Sequence, residues 1–409
     1  MTERLPNTDS PEPASWRGYR RRNGVGIRNK VLIVYTVECA SFVAQEAARR
    51  VGHPDVDVVG FAGCWDNPYA VRLLIALVRH PNVGAVLAIG LGCEYTRPHE
   101  LSRIAGECGK PADSFYIQEE GGTEPSVDRA VRTIGNMLSE LESTPRCDMT
   151  ARDLVVGAEC GGSDFTSGLA GNATVGRFFD RLVDAGGTAV FEEIMEAIGL
   201  EEYLAGRAAT PEVAKQIRLA YANMLAHCRE IRQYAISPGN FAGGLSSIEE
   251  KSMGAIVKSG GKPIQGVIRV AERPSSKGLW LLNSVPDPYF MGFGKTNPND
   301  NEGIIDLISC GCHLVFLVTG RGSVVGSAVA PLLKVTGNSD TYRRMSGDMD
   351  FDAGPCIRGE KTIDEMSLSL FEAVVHCAAG EQTKAERLGH KEYCIPYKYQ
   401  DPGAKPPGC

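Results

Sequence analysis

The chain has 409 residues, of which 43% are hydrophobic and 23% are charged. A chain of this length and composition can bury two substantial cores, so we expect two domains. The formal net charge of -7 argues against a nucleic-acid or membrane-surface protein, because neither polyanion attracts an acidic chain without a strong basic patch. The sequence has no apolar stretch approaching the roughly 20 residues that span a bilayer. Its polar start, MTERLPNTDSPEPAS, lacks the apolar core of a secretory signal, which favours a cytoplasmic protein.

The N-terminal half repeats one layout three times. After a tail over 1–15 that is predicted to be disordered, the apolar runs KVLIVYTVECA, VDVVGFAGC and VGAVLAIGLGCE each end at a cysteine, and the first two are followed by an amphipathic helix pattern. Unbroken apolar runs are typical of parallel strands that are covered on both faces. We therefore predict an N-terminal α/β domain over 16–147, with Cys39, Cys64 and Cys93 at one edge of its sheet.

A second α/β domain is predicted over 148–400, after a polar linker SELESTPRCDMTARD and before a tail over 401–409. It opens with a strand, DLVVGAEC, that again ends at a cysteine, Cys160. A glycine-rich loop, SPGNFAGGLSSIEEKSMG, follows later, and the strand HLVFLV leads into the loop TGRGS. The predicted fold class is thus α/β, with two domains on mainly parallel sheets and a site at the strand ends and the domain boundary.

The thirteen cysteines are odd in number and spread along the chain, which predicts reduced thiols in a reducing compartment. The four strand-end cysteines show no C-x-x-C spacing, so the fold would have to assemble any role that they share.

Other polar residues near these cysteines are candidates for catalysis or binding, each with a structural alternative. Glu94 adjoins Cys93, and Ser163 with Asp164 follows Cys160, although Gly-Gly-Ser-Asp is also a common turn and helix cap. Lys251 can act as a general base if burial lowers its pKa, or it can be a solvated surface charge. The loop TGRGS can hold an anion through backbone N–H groups and a guanidinium. Its residues are Thr319, Gly320, Arg321, Gly322 and Ser323.

Seven ordered blocks resemble the large catalytic region of the altronate and galactarate dehydratase family, which also includes the large subunit of sulfolactate sulfo-lyase. The blocks run from about Gly18 to His390 and are GYRRRNGVGIRN, HPNV, GLGCE, EEGGT, CGGSD with GNATVG, SPGNFAGG with EEKSMG, and TGRGS. The resemblance implies elimination of water from a sugar acid or related hydroxy acid, which gives a 2-keto-3-deoxy acid. It also assigns Asn172 and Asn240, within two of these blocks, to substrate binding.

The resemblance further implies a divalent metal, with iron preferred and an iron–sulfur cluster left open. The metal would stabilise the charge that develops when a proton is removed beside a carboxylate. Thiolate ligands suit iron or zinc better than magnesium, and the resemblance assigns this role to Cys39, Cys64, Cys93 and Cys160. The sulfo-lyase branch retains only the cysteine that matches Cys160, so the sequence sides with the dehydratases.

Three features keep alternatives open. The dehydratases carry a His-Gly-x-Gly-Cys run before the second cysteine, whereas this chain has Gly60-Phe-Ala-Gly-Cys64, so the histidine is absent. The stretch Pro288 to Asp300 is longer and more aromatic than its counterpart, and it either lines a different pocket or forms a surface loop. The family's small β-rich domain does not precede Gly18, which predicts a separate small subunit within an oligomer. The alternatives are a sulfo-lyase-like C–S lyase and a non-catalytic acid-binding or scaffold protein.

Overall fold

The computed structural model describes residues 15–65, 67–285 and 299–396. It confirms the α/β class, with one four-stranded and one seven-stranded parallel sheet and a small antiparallel sheet of three strands. The strands are β1 Trp16–Arg21, β2 Gly24–Gly26, β3 Lys30–Tyr35, β4 Val56–Gly60, β5 Val83–Gly90, β6 Ala112–Tyr116, β7 Arg146–Met149, β8 Val155–Cys160, β9 Thr188–Phe191, β10 Ile264–Arg269, β11 Gly278–Asn283, β12 Leu314–Val318, β13 Leu332–Thr336 and β14 Phe351–Asp352. The helices are α1 Ser41–Val51, α2 Pro68–Val78, α3 Pro98–Glu107, α4 Thr123–Leu141, α5 Asn172–Asp184, α6 Glu201–Ala205, α7 Pro211–Ile231, α8 Pro238–Ala242, α9 Ile248–Ile256, α10 Asp300–Ser309, α11 Ser339–Arg344, α12 Ile363–Ala378 and α13 Lys384–Leu388.

The four-stranded sheet has the order β4-β3-β5-β6, and all its pairs are parallel. Every residue of β3 and β5 is buried, as expected for continuous apolar strands that are covered on both faces. The carboxyl ends of β4, β3 and β5 therefore lie side by side, and each leads into a loop that carries one of the three N-terminal cysteines.

The seven-stranded sheet has the order β10-β11-β9-β8-β12-β13-β14, and its pairs are also parallel. The chain passes from β8 to β9 on one side, whereas β12 lies on the other side of β8. The strand order thus reverses at β8. In open α/β sheets, ligands bind outside the carboxyl ends of the strands at such a switch point.

Two segments differ from their predicted structure. The predicted linker SELESTPRCDMTARD contains the end of α4 and the strand β7, which pairs with β1 in the small sheet. The predicted glycine-rich loop contains α8 and most of α9, because Pro238 stands in the first turn of α8 and the Ser247 side chain caps α9. The predicted tails lie outside the described residues, apart from Ser15, and so does the Pro288 stretch up to residue 298.

The two large sheets share one apolar core. Side chains of β3 and β5, such as Leu32 and Val86, belong to the same buried cluster as Leu282 of β11 and Val315 of β12. The described helices include none with the length and apolar character needed to cross a membrane.

Candidate functional site

Three exposed cysteines lie at the carboxyl edge of the four-stranded sheet. Cys39, Cys64 and Cys93 stand in the loops after β3, β4 and β5, and all three are exposed. These loops contact one another, because the Glu38 N–H donates to Ala62 O at 3.3 Å and the Tyr95 N–H donates to Cys64 O at 3.0 Å. The placement at one sheet edge agrees with the sequence pattern.

Glu94 organises the loop after β5. Its carboxylate accepts hydrogen bonds from the Thr36 hydroxyl at 2.7 Å and from the backbone N–H groups of Leu91, Gly92 and Cys93 at 2.9 to 3.1 Å. The side chain is buried, so these four donors satisfy it in place of water. The structure thus gives Glu94 a positioning contact with the loop of Cys93, and its catalytic role stays a prediction.

Cys160 occupies a different environment from the other three cysteines. It ends β8 in the seven-stranded sheet and is buried, and the Lys258 ammonium lies 2.7 Å from its sulfur. Within 15–65, 67–285 and 299–396, no group of three or more His, Cys, Asp or Glu side chains is arranged to hold a metal ion. The expected gathering of at least three cysteine sulfurs is therefore not found: Cys160 lies in the other sheet, and Cys39, Cys64 and Cys93 share a sheet edge without forming such a group. The metal-ligand role of each cysteine stays a prediction.

A cavity of about 700 Å³ opens beside the carboxyl ends of β8 and β9. Its wall combines residues from the β8 loop, the segment after β9, the start of α9 and the first turns of α10. Six carboxylates and two basic side chains line it, together with the Asn240 amide. The carboxylates are Glu159, Glu192, Glu196, Asp300, Glu302 and Asp306, and the basic residues are Arg232 and Lys251.

The N-terminal domain contacts this cavity wall through α2. The Tyr69 hydroxyl, in the first turn of α2, donates to Asp306 Oδ1 at 2.6 Å. Since α2 begins a few residues after Cys64, this contact joins the cavity wall to the domain of the four-stranded sheet.

Burial changes the proton affinity of the six carboxylates that line the cavity, which together form the acid wall. It raises the pKa of Glu159 well above its usual range, and the nearby Glu192 carboxylate adds to this effect. Burial also raises the pKa values of Glu196 and Asp300. A raised carboxyl pKa favours the protonated form, which can donate a proton and reduces the negative charge that an anionic ligand would meet.

Lys251 is a buried residue of this wall. It lies on α9, is 9% exposed, and its ammonium donates to Ala235 O. The alternative of a solvated surface charge is therefore excluded. Lys251 also lines a smaller, mainly apolar cavity of about 330 Å³, where Asn172 donates to Gly254 O at 2.8 Å.

Asp164 is bound within its own loop. Its carboxylate accepts hydrogen bonds from the Thr166 and Ser167 N–H groups at 2.9 and 3.1 Å and from the Asn338 amide at 3.0 Å. This is the turn-forming arrangement that the sequence left as the structural alternative. The Ser163 hydroxyl oxygen lies 3.9 Å from the Cys160 sulfur. Its carbonyl accepts from the Asn240 amide at 3.1 Å, which ties the β8 loop to α8.

The loop TGRGS is hydrogen bonded to the loop after β8 and does not direct its backbone N–H groups toward an anion site. The N–H groups of Gly320 and Arg321 both donate to Gly162 O at 3.1 Å, and the Gly322 N–H donates to Thr319 Oγ1. Those three donors are already used, so the predicted backbone part of an anion site is not found. The Ser323 hydroxyl accepts a hydrogen bond from the Val325 N–H. The exposed Arg321 guanidinium donates to Gly239 O at 3.0 Å, and its role in substrate binding stays a prediction.

Comparison with known proteins decides the family. The description "D-galactarate/Altronate dehydratase, C-terminal" matches residues 151–400, and "D-galactarate dehydratase/Altronate hydrolase, second domain" matches residues 18–142. The chain belongs to this dehydratase family. Membership makes it an enzyme of the hydro-lyase type.

Curated relatives cover nearly the whole chain. The (2R)-sulfolactate sulfo-lyase subunit beta of Chromohalobacter salexigens is 32% identical over 94% of this chain and 97% of its own length. The altronate dehydratase of Escherichia coli is 31% identical over 92% of this chain and 76% of its own length. The galactarate dehydratase (L-threo-forming) of the same organism is 30% identical, with the same two coverages.

The acid wall of this dehydratase-family chain was not predicted from its sequence. Glu159 stands directly before Cys160, so the strand-end pattern contained a usable signal for that residue. Glu192 and Glu196 follow a short strand without a cysteine, and Asp300 is the last residue of the stretch Pro288 to Asp300, for which the sequence predicted a pocket wall or a surface loop. Their convergence depends on strand order, which spacing along the chain does not encode.

Proposed function

We propose that the chain eliminates water from a sugar acid or related hydroxy acid, giving a 2-keto-3-deoxy acid, in the cavity beside β8. The observation that carries the proposal is the cavity wall itself, which places a buried amine among carboxyl groups with raised pKa values. Its position at the switch point of a parallel sheet supports ligand binding there. The names of the two dehydratase relatives support the reaction class.

Dehydration needs one group that takes a proton beside the carboxylate and another that protonates the leaving hydroxyl. Glu159 suits the second task, because burial raises its pKa and so favours the protonated form. Lys251 is the candidate for the first task, since it is a buried amine on the same wall. Its ammonium form would also stabilise negative charge on the substrate.

The charge of the wall defines the kind of ligand. A sugar acid brings its own carboxylate, which six ionised acids would repel. The raised pKa values of Glu159, Glu196 and Asp300 lower that repulsion, and Arg232 supplies positive charge. Hydroxyl groups of the substrate would then find carboxyl oxygens as hydrogen-bond partners.

The family resemblance also implies a divalent metal, with iron preferred. The four cysteines do not fit a shared metal in this structure, because three are exposed at one sheet edge and the fourth is buried against Lys258 at another. In the part of the chain that the structure describes, no other three-residue ligand group replaces them. We therefore assign the proton transfers to protein residues alone.

A sulfo-lyase function is the second candidate. The sulfo-lyase subunit beta is matched over 97% of its length, whereas the two dehydratases are matched over 76%. This relative is a subunit, so we also propose that the chain works with a small partner subunit in a cytoplasmic oligomer. The strand-end cysteines favour the dehydratase branch.

The test is an anaerobic assay of the purified chain, with and without added iron, on altronate, galactarate and (2R)-sulfolactate. We expect 2-keto acid formation from a sugar acid without release of sulfite. Lys251→Met and Glu159→Gln should each lower kcat by at least about 100-fold, the usual loss when a general acid or base is removed. Lys215→Met, at an exposed position of α7, is the matched control and should leave kcat unchanged.

Two results would contradict this proposal. Sulfite release from sulfolactate, with no keto acid from the sugar acids, would establish the second candidate instead. Full activity in both cavity variants would place the reaction elsewhere in the molecule.

A further inference from the structure

A buried cluster of Cys160, Lys258 and Glu193 lies behind the cavity wall. Cys160 follows Glu159 in β8, so its side chain points to the opposite face of the sheet, and Glu193 follows Glu192 in the segment after β9. Lys258, in a short 3-10 turn over Val257–Ser259, contacts both of them. Its ammonium forms an ion pair with Glu193, and both side chains are 0% exposed.

The ion pair does not by itself explain the thiol contact. The Lys258 nitrogen is already paired with Glu193 Oε1, yet it also lies 2.7 Å from the Cys160 sulfur. That separation is short for a hydrogen bond to the large sulfur atom. It is close to the span of two single bonds that meet at one shared oxygen atom.

We propose that Cys160 and Lys258 form an oxidative crosslink in which one oxygen atom joins the cysteine sulfur to the lysine nitrogen, with hydrogen peroxide as the oxidant. The first peroxide oxidises the thiol to a sulfenic acid and leaves one water. The second oxidises the neutral amine to a hydroxylamine and leaves another water. The hydroxylamine oxygen then bonds to the sulfenic sulfur, whose hydroxyl leaves with the hydroxylamine proton as a third water.

The surrounding groups suit each step. The amine must first lose its ammonium proton, and the paired Glu193 carboxylate is the adjacent acceptor. The Glu193 carboxylate can take up this proton, because its Oε2 has no hydrogen-bond partner among the described residues. The cluster lies close to both cavities, since Gly161 lines the larger one, and Ser163, whose hydroxyl lies 3.9 Å from the Cys160 sulfur, lines the smaller one.

The molecule contains its own matched control. Cys377 is also buried and also contacts a cation that is paired with a glutamate, since Arg28 lies 3.5 Å from its sulfur and 2.7 Å from Glu386. A guanidinium stays protonated and is a poor nucleophile, so the same oxidant should not join Arg28 to Cys377. The two clusters differ in the nitrogen chemistry that the proposal requires.

The experiment treats the full wild-type chain with peroxide, digests it, and identifies joined peptides by mass spectrometry. We expect a Cys160–Lys258 peptide pair that has gained one oxygen and lost two hydrogens relative to the separate reduced peptides. A thiol reductant should restore the separate peptides. No Cys377–Arg28 pair should form, and the crosslink should be absent from Cys160→Ser and Lys258→Arg, the second of which keeps the charge beside Glu193.

Because the wild-type measurement needs no variant, a folding defect in either substitution does not affect the test. Oxidation of Cys160 to sulfinic acid while Lys258 stays unmodified would overturn the proposal. A joined pair without the extra oxygen would also overturn it, because that product is a direct sulfur–nitrogen bond.

Discussion

The carboxyl edges of the two parallel sheets begin from the same sequence layout and end as different environments. At the edge of the four-stranded sheet, three cysteines are exposed and the buried carboxylate of Glu94 is hydrogen bonded through both oxygens. At the edge of the seven-stranded sheet, Cys160 is buried against a lysine and Glu159 faces a cavity of acids. An apolar strand followed by a cysteine thus fixes where a thiol lies, but the elements packed over the edge decide what it contacts.

The largest expected effect concerns the buried ion pair of the second edge. Glu193→Gln leaves the Lys258 charge buried without its counter-ion, so the free energy of unfolding should fall by about 3–5 kcal/mol. Glu202→Gln, which breaks the exposed Arg218–Glu202 pair, should leave the urea midpoint nearly unchanged. Equal shifts of the midpoint in the two variants would show that the buried Lys258–Glu193 pair contributes no more to stability than the exposed pair.

The same substitution should have opposite effects at the two edges. Glu159→Gln replaces a buried carboxyl, whose Oε1 accepts from the Cys160 N–H and whose Oε2 has no hydrogen-bond partner among the described residues, with a neutral isostere, and we expect it to raise the free energy of unfolding at pH 8 by about 1–3 kcal/mol. Glu94→Gln removes acceptors from backbone N–H groups and should lower stability by a similar amount. Urea unfolding of both variants checks this prediction.

The gain from Glu159→Gln should depend on pH. Burial raises the folded-state pKa of Glu159, so the folded state keeps a proton that the unfolded state releases above its ordinary pKa of 4.5. The free energy that Glu159 contributes to the stability of the wild-type chain is therefore fully present below pH 4.5 and is lost as the pH rises through the folded-state pKa. The advantage of the variant should widen between pH 5 and pH 8, and a constant difference would contradict the burial effect.

The smallest expected effect concerns the exposed cysteines. Replacing Cys39, Cys64 and Cys93 together by serine should change the free energy of unfolding by no more than about 0.5 kcal/mol per site, because exposed thiols contribute little packing. In the native wild-type chain, a thiol reagent should label these three quickly and Cys160 only after unfolding. Rapid native labelling of Cys160 would remove the difference between the edges.

The sequence by itself determined the class of fold and the position of the thiols. Runs such as Leu87 to Ile89 are apolar at every position, which is typical of a strand covered on both faces, and the cysteine after each run then falls at a strand end. Helix caps were less well predicted. The glycine-rich segment around Lys251 contains two short helices because Pro238 and Ser247 start them, a local signal that the glycines concealed.

Only the tertiary structure decided which groups meet. Glu159, Glu192 and Asp300 belong to separate elements, and they share a cavity because the strand order reverses at β8. Lys258 reaches Cys160 across almost a hundred residues of chain, and burial then forces its charge to pair with Glu193. Local patterns fix which face or end of an element a residue occupies, whereas long-range packing alone fixes what that face meets.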